Sequence, residues 1–218
     1  MNGSGASMSA FAHLFAILSF ILLLVWLLHH REGLDLDSDD ARRVFNVHPF
    51  LMVFGFIFFA GEGAMMYRTA IADWDAKKML HMFFHLIAMT LGIVGIYAAF
   101  KFHDQIHVED MTSLHSWIGM GTFCLFCLQW LFGFSTFLFP KASQGTRQRA
   151  IPWHRSAGRA LLYMSICAAE SGLMQKEFSL QLGDSSEAYV VNFLGLAILL
   201  FGISVDFTVT LGPWGHGY

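Results

Sequence analysis

Long apolar runs alternate with short polar segments from one end of the chain to the other. Each run has the length of a helix that crosses a membrane, which needs about 20 predominantly apolar residues. Arg68 follows the second run and Pro140 follows the fourth, where the proline ends the helix because it cannot continue the hydrogen-bond ladder. The pattern predicts six membrane-spanning helices, at about residues 10–30, 45–67, 79–100, 113–139, 152–174 and 188–211.

The composition is that of a membrane protein. With 56% hydrophobic and 13% charged residues, the chain of 218 residues has too few polar groups to cover a water-soluble domain of this size. The formal net charge of -3 includes no basic block, so we expect no nucleic-acid partner. The expected fold class is all-α: a single domain over residues 1–218 that forms a bundle of six transmembrane helices in the lipid bilayer.

The distribution of lysine and arginine gives the expected orientation. Six spans place both termini on the same side of the membrane, and that side holds eight basic residues, six in its loops and two in the first turns of span five, against five on the other. Because cytoplasmic segments are enriched in lysine and arginine, we expect cytoplasmic termini. The eight are Arg68, Lys77, Lys78, Lys141, Arg147, Arg149, Arg155 and Arg159, and the five are Arg31, Arg42, Arg43, Lys101 and Lys176.

Four histidines, His48, His81, His115 and His154, stand close to the starts of successive apolar runs, at intervals of 33, 34 and 39 residues. Consecutive helices enter the membrane from opposite faces, so alternate histidines lie near the same face. The spacing therefore predicts two pairs, His48 with His115 and His81 with His154. With cytoplasmic termini, the second pair lies near the cytoplasmic face.

An imidazole in hydrocarbon needs a partner, because an unsatisfied polar group is costly there. For a single histidine, a hydrogen bond between helices would be sufficient. The fourfold pattern instead favours two haems, each with its iron held between the two imidazoles of one pair. Two protein ligands leave the iron without an open position, which favours electron exchange over oxygen chemistry. The sequence thus predicts electron transfer from one face of the membrane to the other.

Other assignments of the histidines stay open at this point. His85 lies one turn after His81 and His13 lies in the first span, so spacing alone does not decide whether either is a ligand or a hydrogen-bonding group. The histidines could also line the path of a transition-metal transporter, or belong to a haem-free scaffold of packed helices. A transporter would need acidic ligands nearby, and the intramembrane carboxylates are not spaced with the histidines as a relay. They are Glu62, Glu170 and Asp206.

Five short motifs surround these histidines: residues 45–49 (FNVHP), 78–81 (KMLH), 113–117 (SLHSW), 129–134 (QWLFGF) and 152–154 (PWH). Together they resemble the cytochrome b561 family of transmembrane ascorbate-dependent oxidoreductases and ferrireductases, especially its plant members. The resemblance spans nearly the whole chain. It implies that His48 and His115 bind one haem b and that His154 binds a second haem b together with His81 rather than His85.

The resemblance also implies a site for the electron donor. Family members take electrons from cytoplasmic ascorbate and deliver them to monodehydroascorbate or ferric chelates on the far side. The implied ascorbate site contains Lys78 and Arg147, with Lys77 adjacent, and Arg68 matches a position associated with a haem propionate. Because ascorbate is a monoanion at neutral pH, a basic rim would attract it, although the same charges also suit ordinary cytoplasmic flanks of the spans.

On the far face, the resemblance implies a second substrate site at Lys101, Phe102 and His103. The chain departs from the family near this site, with Thr112 where relatives usually carry tyrosine and Gln175 where many carry glutamate. These departures leave the acceptor open. The membrane is expected to be an endomembrane (vacuolar or vesicular) or the plasma membrane, and a homodimer is also left open.

Overall fold

The computed structural model describes residues 3–211, which form helices and short connections without a β-strand. The all-α prediction is confirmed for this part of the chain, and residues 1, 2 and 212–218 of the expected domain lie outside it. The described helices join into six rods. They are α1 (Gly3–Leu24, with a π-helical end Val25–His30), α2 (Ala41–Phe50, π-helical Leu51–Phe58, then Phe59–Thr69), α3 (Trp74–Ile106), α4 (Leu114–Gly133, with a π-helical end Phe134–Leu138), α5 (Gln144–Leu180) and α6 (Ser186–Leu211).

Five of the rods are long and apolar enough to cross a membrane, over Met8–His30, Ala41–Thr69, Trp74–Ile106, Leu114–Leu138 and Ser186–Leu211. These five correspond to the predicted spans one to four and six. The predicted fifth span, 152–174, lies within α5 but is not among the five, and it carries Arg155, Arg159 and Glu170. Most of the rods extend beyond the predicted spans, α3 and α5 at both ends by five or more residues, whereas α4 stays within its predicted span.

Polar caps set where the middle rods begin. The side chains of Asp40, Asp73, Ser113 and Ser143 each accept a hydrogen bond from a backbone N–H two or three residues later, at the starts of α2, α3, α4 and α5. Such side chains satisfy amide groups that have no partner in the first turn of a helix. Since three of the four histidines follow these caps within eight residues, the caps also fix how deep those histidines lie in the bundle.

Neighbouring rods run antiparallel, as their contacts show. His48 of α2 lies against Gly95 of α3, and further along α2 Gly63 lies against His81. Residue numbers therefore rise along one rod while they fall along the other. Rods α2 and α3 pack closely together, as do α4 and α5, while α1 packs mainly on α6, which contacts α2 and α5.

Two apolar clusters hold the rods together. One draws residues from all six rods and includes Phe56, Met65 and Phe123; the other joins α1 and α5 to α6 and includes Leu23 and Leu194. Large apolar side chains also cover the outside of the bundle. A continuous apolar exterior of this kind suits contact with lipid rather than water.

Candidate functional site

The structure brings the four histidines together in the two predicted pairs. The ring centroids of His48 on α2 and His115 on α4 are 6.0 Å apart. Those of His81 on α3 and His154 on α5 are 6.1 Å apart. We call His81 and His154 the inner pair, at the end of the bundle where α2 ends and α3 begins, and His48 and His115 the outer pair.

Backbone carbonyl groups orient three of the four rings. A carbonyl oxygen only accepts hydrogen bonds, so the Nδ1 atom that faces it must carry the proton. The other ring nitrogen, Nε2, then has a free lone pair and can bind a metal. The three contacts run from Nδ1 of His48 to the oxygen of Gly95 at 2.9 Å, from Nδ1 of His81 to that of Gly63 at 2.8 Å, and from Nδ1 of His115 to that of Ala168 at 2.8 Å.

His154 is held differently, by a side chain from the neighbouring rod. The amide nitrogen Nε2 of Gln129 on α4 lies 3.0 Å from Nδ1 of His154. The same nitrogen donates to the backbone oxygen of His154 at 2.7 Å. The ring of His154 therefore has a fixed neighbour at Nδ1, but that neighbour is an amide rather than a carbonyl of the main chain.

Two glycines allow the rods to approach the rings closely. A Cβ atom at Gly172 of α5 would lie 2.7 Å from Cε1 of His115, and one at Gly133 of α4 would lie 3.0 Å from Cε1 of His154. Real Cβ atoms essentially never come as close as the first distance, and the second is tighter than nine in ten real contacts. Glycine at these positions therefore leaves the space that the two imidazoles occupy.

A cavity of about 450 Å³ surrounds the inner pair. Its volume lies within the range of small-molecule and cofactor sites, and its walls are mostly apolar. His85 also lies in the wall, with its ring centroid 4.5 Å from that of His81. Unlike Nδ1 of His81, Nδ1 of His85 is buried without a hydrogen-bond partner.

Some of the predicted donor-site residues line this cavity and others do not. Lys78 and Arg147 are in its wall. The ammonium group of Lys78 lies 3.1 Å from the carboxylate of Asp75, and Arg147 donates to the oxygen of Ala142 at 2.7 Å.

Lys77 and Arg68 are outside the cavity wall, although both were expected near the cofactor or donor. Arg68 donates to the backbone oxygen of Val209 at 3.3 Å. Two other arginines, Arg155 and Arg159, are in the wall instead.

Near the outer pair, the cation over the aromatic residues is Lys176. Its Nζ atom lies 3.8 Å from the ring centroid of Phe45 and 5.5 Å from that of Phe102. The predicted Lys101 instead binds the loop before α2, with its Nζ atom 2.7 Å from the oxygen of Leu36 and 3.2 Å from the carboxylate of Asp37.

The other predicted outer residues are close by. Phe102 packs on Phe45 with a centroid separation of 4.9 Å. Nδ1 of His103 lies 2.7 Å from the carboxylate of Asp110, and the ring of His103 lies 5.7 Å from that of Phe102. The structure thus brings Phe102 and His103 together, with Lys176 beside Phe102.

His13 lies away from both pairs. Its Nε2 atom forms a hydrogen bond with Oε2 of Glu62 at 3.4 Å and lies 3.2 Å from Oε1 of the same buried carboxyl group on α2. This contact between two rods corresponds to the hydrogen-bonding role that the sequence left open for His13.

The sequence model of eukaryotic cytochrome b561 matches residues 47–180, a stretch that contains all four histidines of the two pairs. The chain belongs to the eukaryotic cytochrome b561 family. The resemblance predicted from the five sequence motifs is therefore confirmed, and it extends to relatives from plants and animals.

This cytochrome b561 is 40% identical, over 200 residues, to the probable ascorbate-specific transmembrane electron transporter 1 of Oryza sativa subsp. japonica, covering 89% of this chain and 85% of that protein. It is 36% identical to the transmembrane ascorbate ferrireductase 1 of Arabidopsis thaliana, covering 91% of this chain and 85% of that protein. It is 35% identical to the transmembrane ascorbate-dependent reductase of Sus scrofa, covering 94% and 82% of the two chains.

The separations within both pairs fit the haem iron that the family name implies. Two metal–imidazole bonds of about 2 Å each, with half of each ring, span about 6 Å, which matches the observed separations of 6.0 and 6.1 Å. The carbonyl contacts leave Nε2 free on three of the rings. Residues 3–211 contain no group of three or more histidine, cysteine, aspartate or glutamate side chains that could hold a metal ion.

Two residues near this site were not assigned a role from the sequence. Gln129 belongs to the QWLFGF motif, and a polar residue inside an apolar run is a signal of function, because such residues are costly in hydrocarbon. Lys176 was counted as a flanking charge, and the substrate role of its segment with Gln175 stayed open. Its approach to Phe45 depends on the length of α5, which continues to Leu180 rather than ending near residue 174.

Proposed function

We propose that this cytochrome b561 carries electrons across the membrane, from cytoplasmic ascorbate through two haems b to an acceptor on the opposite side. The proposal depends on one observation: the four imidazoles form two pairs between alternate rods, with ring centroids 6.0 Å apart in one pair and 6.1 Å apart in the other. The outer haem is assigned to His48 and His115 and the inner haem to His81 and His154. The names of the relatives support ascorbate as the electron donor.

A haem with two imidazole ligands supplies reversible one-electron exchange without a position for oxygen. The chain supplies the orientation of its ligands through the carbonyl groups of Gly63, Gly95 and Ala168 and through the side chain of Gln129. The proposal also includes six crossings, with α5 as the fifth. Arg159 of α5 donates hydrogen bonds of 2.6 and 3.0 Å to the carboxylate of Asp206, a buried residue of α6, and this carboxylate offsets the charge of the arginine.

The donor would bind at the mouth of the inner cavity. Lys78 and Arg147 line the cavity that also contains His81 and His154, so an anion held between the two cations would lie beside the inner pair. Electrostatic attraction of this kind raises the local concentration of an anionic substrate. The ascorbate monoanion would give up one electron there and one proton to water, which makes it monodehydroascorbate, and the acceptor on the other side would gain the electron.

The acceptor would bind near Phe102, His103 and Lys176. Monodehydroascorbate and ferric chelates such as citrate are anionic, and Lys176 stands over the aromatic side chains on this side. With cytoplasmic termini, an electron moving outward leaves the negative side of the membrane. That movement is favourable by about 2.3 kcal/mol for each 100 mV of membrane potential.

The test uses purified full-length protein and proteoliposomes. The proposal expects two haems b per chain in a pyridine haemochrome assay, reduced when ascorbate is added. Vesicles loaded with ascorbate should reduce external ferric citrate, and vesicles without protein should not. Protein without haem, or haem protein that ascorbate does not reduce, would contradict the proposal. Colourless protein would leave the transporter and scaffold interpretations.

The orientation and the cellular membrane stay predictions of the sequence. With the predicted topology, a tag at either terminus should be accessible only from the cytoplasm. Tags that cannot be reached from the cytoplasm would contradict it. Fractionation of cells would then distinguish an endomembrane from the plasma membrane.

A further inference from the structure

The four imidazoles differ in what holds Nδ1. For His48, His81 and His115 the neighbour is a backbone carbonyl oxygen, which no substitution of a side chain removes. For His154 it is the side-chain amide of Gln129, at 3.0 Å. His154 is thus the one member of the two pairs whose Nδ1 contact can be changed by a single substitution.

The local structure fixes Gln129 in this position. Its amide nitrogen also donates to the backbone oxygen of His154 at 2.7 Å, so one side chain contacts the same residue twice. The amide also lies against α5, since a Cβ atom at Gly158, one turn after His154, would be in ordinary contact with Nε2 of Gln129 at 3.9 Å. Gly133, one turn after Gln129 on α4, leaves room for the ring.

The chemistry of the amide also differs from that of a carbonyl group. A carbonyl oxygen only accepts, whereas a glutamine side chain has both a donor and an acceptor. The three carbonyl contacts therefore fix one tautomer of their rings. The nitrogen of the Gln129 amide faces Nδ1 of His154 and can only donate. A metal at Nε2 needs the proton on Nδ1, so metal binding requires the amide to turn its oxygen, which accepts, towards the ring. Groups that hold a metal-binding histidine tune the metal as well as the ring.

We propose that Gln129 is a positioning residue of the inner site, which holds the ring of His154 towards His81 and sets the redox equilibrium of the inner haem. This inference rests on the proposed function, because it assigns His154 to that haem. It adds a residue that touches neither the iron nor the donor. It also predicts that the two haems respond differently to one substitution on α4.

The test is a spectroelectrochemical titration of purified full-length protein, together with haem stoichiometry and electron paramagnetic resonance spectra. A His154→Ala variant supplies the signals of the outer haem alone. Gln129→Leu, which removes the amide, should weaken retention of the inner haem at least tenfold, in keeping with the effect of losing such partners on metal affinity. The outer haem should keep its spectrum and its midpoint potential.

Gln129→Glu tests the redox part of the inference while keeping the size of the side chain. A carboxylate near Nδ1 favours the ferric state, so the equilibrium constant for reduction of the inner haem should fall at least tenfold, which is about 59 mV for one electron. The matched control is Gln105→Leu, the same change at an exposed glutamine of α3 that is outside the cavity wall. The control should leave the midpoint potential and haem retention as in the unmodified protein.

The outcomes separate this inference from the proposed function. If the unmodified protein holds two haems and both Gln129 variants keep the retention, midpoint potential and resonance spectrum of the inner haem, only this inference is overturned. An equal change in both haems would also overturn it. If the unmodified protein holds no haem, the proposed function itself fails.

Discussion

His81 and His85 stand one turn apart on α3, yet only Nδ1 of His81 reaches a hydrogen-bond acceptor, the oxygen of Gly63 at 2.8 Å. Nδ1 of His85 is buried without a partner. The two rings also meet edge to face, with centroids 4.5 Å apart. The contact with Gly63 therefore orients the ring of His81 as a ligand requires, while His85 packs beside it in the wall of the same cavity.

This difference predicts unequal effects of two substitutions. His81→Ala should remove the inner haem and lower the stoichiometry from two haems per chain to one, because an iron ligand is lost. His85→Ala should keep two haems, with a shifted spectrum of the inner one, because it changes only the wall. Pyridine haemochrome assays of both purified variants measure the result. Loss of the inner haem in His85→Ala with retention in His81→Ala would reverse the assignment.

Because Lys78 pairs with Asp75, we expect substitutions of the two residues to change KM for ascorbate in opposite directions. Lys78 is 21% exposed at the cavity, and its ammonium group lies 3.1 Å from the largely exposed carboxylate of Asp75. Lys78→Ala should raise KM for ascorbate about tenfold, since the anion loses a cation. Asp75→Asn should lower KM by about twofold, because exposed pairs contribute little. Stopped-flow reduction over a range of ascorbate concentrations checks both.

Lys77→Ala is the control for the donor site, because Lys77 adjoins Lys78 but is outside the cavity wall. It should change KM less than twofold. Equal effects of Lys77→Ala and Lys78→Ala would mean that only the general charge of the surface matters.

Near the outer pair, the structure predicts that Lys176 matters more than Lys101 for the acceptor. Lys176→Gln should slow reduction of external ferric citrate about tenfold in ascorbate-loaded proteoliposomes, because the cation over Phe45 is lost. Lys101→Gln should slow it less, since its ammonium group already binds Leu36 and Asp37. Haem content and reduction by ascorbate should be unchanged in both variants. A slower reduction of ferric citrate in Lys101→Gln than in Lys176→Gln would indicate that Lys101 belongs to the acceptor site.

The sequence was sufficient for the contacts that depend on helix order. Alternate crossings must bring His48 towards His115 and His81 towards His154, and the structure has both contacts. The family relationship was also readable, because the motifs lie at those histidines. Such features depend on periodicity and chain length, which the order of residues fixes directly.

Features that depend on the ends and rotation of helices were not predictable in the same way. The fifth span was placed at 152–174, but α5 continues to Leu180 and so brings Lys176 over Phe45. Likewise, the contact of Gln129 with His154 depends on how α4 and α5 are turned towards each other. Apolar runs indicate where a helix lies in the membrane, but they do not specify the last turns or the rotation.

The close approach of α5 to the outer pair gives a last prediction, on the size of residue 172. A Cβ atom at Gly172 would lie 2.7 Å from Cε1 of His115, so Gly172→Ala must displace the ring or the rod at a cost of about 1–3 kcal/mol. We expect the outer haem to be lost or its spectrum altered, while the inner haem is kept. Gly119→Ala is the matched control on α4, since a Cβ atom there has no neighbour within 4 Å. Absorption spectra of the two variants measure the result. Full retention of an unaltered outer haem in Gly172→Ala would mean that His115 is not held against α5.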